Sequence, residues 1–77
     1  MLCKYLERMK HLRHLDTVAL LTDKPHLNLV AGQVGTVVEQ LDEHVYEIEF
    51  TNIKGRTLIS CPIEVEFLML LHFEPVV

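Results

Sequence analysis

Tryptophan is absent from these 77 residues, and cysteine, glycine and proline are scarce, at two, three and three. With no Trp and no aromatic-rich loop, the chain lacks the groove by which signalling-type domains read Pro-rich peptides. Cys3 and Cys61 are too few for the disulfide framework of small secreted domains, and they form no Cys-x-x-Cys pair; a reducing, cytoplasmic setting is expected. No apolar run approaches the ~20 residues of a membrane span. Lys4, Glu7, Arg8, Lys10 and Arg13 interrupt the start, so neither a signal peptide nor a membrane partner is expected. Cations are short as well. Seven Lys and Arg face eleven Asp and Glu, for a net charge of -4. Residues 1–15 carry Lys4, Arg8, Lys10 and Arg13 against Glu7, whereas the rest has only Lys24, Lys54 and Arg56 against ten carboxylates. Such a body repels a phosphate backbone, so nucleic acid is not the expected partner.

What is present is enough apolar material for one core. At 49% hydrophobic and 23% charged, the chain is outside the composition of disorder, and its length supports a single domain. Residues 1–14 contain no Gly or Pro and repeat Leu2, Leu6, Met9 and Leu12 every three or four positions, which predicts an amphipathic N-terminal helical extension. Met9 offers a second possible start, which leaves residues 1–8 open between an extension and a mis-assigned leader ahead of the domain. Strands are expected over 17–21, over 32–41 after a glycine turn, and over 45–50, where Tyr46, Ile48 and Phe50 alternate with Glu47 and Glu49. A fourth strand is expected over 56–61, stopped by Pro62. The segment 63–71 reads either as one extended stretch or as a helical turn before a last strand. Gly32, Gly35 and Gly55 are the structural turn residues: Gly32 for a positive φ, Gly35 for a bulge or a close backbone approach, Gly55 for the hairpin loop. Five short strands joined by tight turns make an all-β domain over 15–77, a small five-stranded SH3-like barrel.

Four blocks carry a family resemblance. Leu15-Asp-Thr-Val-Ala-Leu-Leu, Gly32-Gln-Val-Gly-Thr-Val-Val-Glu, Val45-Tyr-Glu-Ile-Glu-Phe and Gly55-Arg-Thr follow in order, and the chain over roughly 11–74 resembles a bacterial family known as domain of unknown function 4926. The resemblance implies an SH3-like barrel and assigns no activity. The Gly-x-Val-Gly-x-Val piece is also similar to the glycine-bearing strand of ribosomal and transcription-elongation proteins.

Chemistry-bearing residues are few. Cys61 with His44 or His72 could make a thiolate pair, but a Cys in an apolar strand is more often a core residue. Glu47 and Glu49 share one strand face and could mimic a catalytic carboxylate pair, although alternating glutamates are ordinarily a solvated face. His11 and His14, with Cys3 two turns earlier, suggest a zinc clip that lacks the ligand pairs tetrahedral zinc needs. No catalytic residue, metal or cofactor is therefore expected. Arg56, Glu47 and Glu49 remain as candidate partner-binding residues, with a cross-hairpin pair of Arg56 to either glutamate as the structural alternative. The expected function is a non-enzymatic protein-interaction module: an accessory or regulatory subunit, or the neutralising partner of another protein, with a homo-oligomer through the N-terminal helix also open. The alternative is a nucleic-acid or ribosome-associated module that uses the Gly-x-Val-Gly-x-Val strand and the basic helix.

Overall fold

The computed structural model describes residues 12–52 and 54–71. They form an all-β fold of five antiparallel strands, β1 (Thr17–Leu20), β2 (Val34–Asp42), β3 (Val45–Thr51), β4 (Thr57–Glu64) and β5 (Leu68–Leu70), in the spatial order β4-β3-β2-β1-β5. Short 3-10 turns lie at Pro25–Leu27 and Val65–Phe67. There is no α-helix among the described residues, and none long and apolar enough to cross a membrane.

The period of two on β3 places Tyr46, Ile48 and Phe50 in the core, each exposed by 1% or less, while Glu47 and Glu49 on the other face are half-buried. Val18 and Leu20 of β1, Val37 of β2, Cys61 and Ile63 of β4 and Leu68 of β5 join them in one apolar cluster, capped by Leu12, Leu29 and Val65. A flat single sheet leaves both faces wet. Burial this complete on one face requires the five strands to curl around it.

The sheet does not close into the expected barrel. β4 and β5 are both edges, joined in sequence by the turn Val65–Phe67 but by no ladder. With three residues, β5 offers few backbone groups beyond those it gives to β1.

The expected fourth strand was too short, because β4 runs on through Pro62 to Glu64. Val65 N donates to His44 O, which makes Val45 and Glu64 a non-hydrogen-bonded pair. Alternating from there, Ile63, Cys61 and Ile59 bond to β3, while Pro62, opposite Glu47, turns its nitrogen away from the ladder. A proline at an outward position removes no ladder bond and takes one donor from the exposed edge. Of the segment 63–71, Ile63 and Glu64 finish β4, Val65–Phe67 is the helical turn and Leu68–Leu70 the last strand.

Gly35 is where another chain segment comes close. A Cβ built on it would lie 2.6 Å from Ile48 Cγ2 and 3.0 Å from both Glu49 O and Phe50 Cδ1. The bulge falls three residues later, where the register shifts between Val37 and Glu39. Gly32 and Gly55 hold φ of 94° and 78°, the left-handed values expected of turn glycines.

Most of the N-terminal helical extension, residues 1–11, lies outside the described residues; residues 12–14 are not helical. Leu12 is buried, and its N–H donates to the Tyr46 hydroxyl at 3.2 Å. Asp16 Oδ2 accepts from Arg13 N at 2.7 Å, and Asp16 N donates to Arg13 O, closing a turn through Leu15 at φ 71°. An aspartate side chain that takes the backbone N–H of residue i-3 competes with helix continuation, and Leu12 is used by the core rather than by a helix stripe.

Candidate functional site

Outward-facing residues on the five strands sort by chemistry. None of the strands contains a Lys or Arg, whereas β2, β3 and β4 carry Glu39, Asp42, Glu47, Glu49 and Glu64. Antiparallel register brings these together: Glu47 stands opposite Glu39 on β2, Glu49 opposite Thr36 on β2 and Ser60 on β4, and Val45 between Asp42 and Glu64. Directly opposed like charges are unfavourable in a sheet, and this pair has no cation on either strand to offset it.

Polar β4 side chains do meet the two central glutamates. Thr57 Oγ1 donates to Glu49 Oε2 at 3.1 Å, and Ser60 Oγ donates to Glu47 Oε2 at 3.2 Å. Each bond holds a carboxylate along the sheet and leaves its charge unneutralised. Arg56 lies in the loop before β4 and is exposed. Its backbone N–H and that of Lys54 donate to Asn52 Oδ1, at 3.1 and 2.9 Å, while Asn52 N donates to Arg56 O. Among the described residues no ion pair joins Arg56 to Glu47 or Glu49. The structure thus brings Glu47 and Glu49 together on one face and places Arg56 at the end of the hairpin, with Gly55 beside it in the same loop.

Toward β1 and β5 the same face becomes apolar. Ala19 of β1 is paired with Val34 of β2 on one side and Met69 of β5 on the other, which lines up three apolar side chains across three strands. Ala19 is buried, while Val34 and Met69 are 47% and 42% exposed. Leu21, just beyond β1, is 50% exposed. Thr17, opposite Thr36, forms the next row and leads to Glu49. Lys24, in the loop after β1, places its Nζ 3.9 Å from the centre of the Phe67 ring, a cation–π contact that ties this loop to the turn before β5.

The other sequence candidates are dispersed. Cys61 faces the core opposite Ile48, and burial first and Glu47 second push its thiol above the ordinary value, so it is held as the unreactive thiol. His44 is exposed in the β2–β3 turn, and its carbonyl accepts from Val65 N. His14 Nδ1 lies 3.1 Å from Val38 O. Cys3, His11 and His72 lie outside the described residues. Among the described residues no three His, Cys, Asp or Glu side chains gather as metal ligands.

Sequence reasoning singled out Glu47 and Glu49 but missed Glu39, Glu64, Val34 and Met69. Glu39 was hidden by the bulge at Val38, which changes the face on which it falls. Val34 and Met69 are read as ordinary strand residues until the pairing with Ala19 shows that they are neighbours.

Residues 14–70 match the model of a family described as Domain of unknown function (DUF4926). No curated protein and no solved structure matches the chain.

Proposed function

The chain belongs to the DUF4926 family, and from that premise and the character of its sheet we propose that it is a non-enzymatic protein-interaction module, an accessory or regulatory subunit or the neutralising partner of another protein. One observation carries the reading: five carboxylates and no Lys or Arg on the strands. A surface of this kind repels nucleic acid and anionic membrane alike, and attracts a cationic protein. The sheet's open edges on β4 and β5 add backbone groups that a partner could use.

The fold is part of the proposal. The strand order, the 3-10 turn between β4 and β5 and a single core on the concave face support an SH3-like topology, left open between β4 and β5. A cytoplasmic setting is supported by the free thiol of Cys61. The nucleic-acid alternative rests on the Gly-x-Val-Gly-x-Val strand and the basic N-terminal segment; Gly32 serves a turn and Gly35 a close approach, which accounts for both glycines without a ligand, and residues 1–11 lie outside the described residues.

The test is affinity capture of the tagged chain from its native lysate at moderate salt with nuclease, read by mass spectrometry. A protein partner in stoichiometric amount is the expected result. Ribosomal proteins or nuclease-sensitive material in its place would refute the reading.

A further inference from the structure

We infer that the partner docks on the outer face of β5-β1-β2-β3, and that its docking segment is a basic amphipathic stretch of a second protein, with apolar residues along one side and Lys or Arg along the next. The inference rests on the interaction-module reading above and names the surface and the chemistry of the partner.

The surface has two adjoining halves. Met69, Ala19 and Val34 form the apolar row, continued by Leu21 past the end of β1. One pairing step along β2 and β3 lie Thr36 and Glu49, and beyond them Glu47 opposite Glu39. Neighbouring strands are about 4.8 Å apart and residues on one face of a strand about 6.8 Å apart, so the apolar row and the nearest carboxylates lie within the width of one helix, about 10 Å. A segment lying across β1 and β2 covers the apolar row and carries its cations over Glu49 and Glu47.

Charge decides among occupants. The same face of a second copy would set Glu39, Glu47 and Glu49 against their own counterparts with no strand cation between them, which costs rather than favours association. A nucleic acid or an anionic membrane meets the same repulsion. A neutral apolar segment would fill the Met69, Ala19 and Val34 row and leave the opposed Glu39 and Glu47 as they are. A cationic amphipathic segment covers the row and also relieves that opposition, so it is the occupant that uses both halves.

The probe is a synthetic 18-residue peptide of Leu and Lys at helical spacing, titrated into the isotopically labelled full chain and followed by amide shifts, with a Leu and Glu peptide of the same pattern as control. Shifts at Ala19, Val34, Thr36, Glu49 and Met69 are expected with the Lys peptide only. V34S/M69Q and, separately, E47Q/E49Q are each expected to weaken binding about tenfold, and raised salt to weaken it in the unmodified chain but much less in E47Q/E49Q. All replaced side chains lie off the core face, and unchanged amide dispersion verifies that the variants fold. Shifts confined to the β4 edge around Leu58, equal binding of the Glu peptide, or affinity unaffected by the substitutions would overturn the inference. Self-association seen by sedimentation and lost in V34S/M69Q would place a second copy on the face, and shifts at the same amides on charge reversal of Lys4, Arg8, Lys10 and Arg13 in the free chain would place its own basic N-terminal segment there; either overturns the inference. Capture of the native partner separates this inference from the broader one: a partner still captured by V34S/M69Q and E47Q/E49Q leaves the interaction module standing and removes this surface, whereas capture of no protein by the unmodified chain removes the module itself.

Discussion

Replacing Gly35 by Ala adds a single methyl group, and its cost follows from where that group would sit. The new Cβ meets Ile48 Cγ2 at 2.6 Å, with Glu49 O and Phe50 Cδ1 at 3.0 Å. Ile48 and Phe50 are fully buried, and Glu49 O belongs to the strand paired with β2, so no flexible side-chain end is available to move aside. Relief requires β2 and β3 to separate or Ile48 to leave its rotamer. Overpacking of this kind costs about 1–3 kcal/mol. The loss of unfolded-state freedom on going from Gly to Ala returns about 0.4–1 kcal/mol, so the net destabilisation is about 1–2 kcal/mol. For a domain of this size each kcal/mol corresponds to about 4–8 °C, which gives a fall in Tm on the order of 5–15 °C. Thermal unfolding followed by far-UV circular dichroism, with urea unfolding to verify an unchanged m value, measures it. Because the clash is shared, G35A combined with I48A costs less than the two separate losses together. A Tm equal to or above that of the unmodified chain, or strict additivity in the double variant, would refute the reasoning.

Y46F leaves the Leu12 N–H without its acceptor in the core, so stability falls by about 1–3 kcal/mol in urea unfolding. E39Q removes one of two opposed carboxylates and is expected to raise stability by about 0.2–1 kcal/mol, with the gain shrinking as salt screens the repulsion in the unmodified chain. Cys61 has its thiol pushed up in the folded state, so its contribution to stability is present below the unfolded-state value near 9.0 and is lost as pH rises above it; C61A should flatten that alkaline limb of a pH–stability profile. A thiol reagent at neutral pH should modify Cys61 slowly in the native chain and rapidly in urea.

The alternation of β3 was legible because period-two burial is a local property: Tyr46, Ile48 and Phe50 go inward wherever the strand is placed. Gly35 was legible as a close approach for a similar reason, since an unexplained glycine within a strand pattern signals a missing volume. Other features depended on partners remote in sequence. Pro62 reads as a stop until its pairing with Glu47 shows that its nitrogen faces the edge. Leu12 fits a helical stripe until the hydroxyl of Tyr46, 34 residues away, is found at its N–H. Whether the last strand closes onto β4 is a question of ladder geometry, which periodicity does not carry. The site divided in the same way. Glu47 and Glu49 announce themselves by spacing, whereas their like-charged neighbour Glu39 depends on a bulge, and the apolar row depends on three strands meeting at Ala19.

Binding of a protein through the acidic and apolar outer face of the sheet is the proposal on which the rest depends. Quantitative affinity capture from native lysate, run in parallel with the unmodified chain, V34S/M69Q and E47Q/E49Q, tests it most directly. One stoichiometric protein partner is expected with the unmodified chain, cross-linked through a Lys- or Arg-rich amphipathic segment, with a loss of about tenfold in recovery with either variant. Recovery that is the same for all three chains, or capture only of material that nuclease removes, would contradict it.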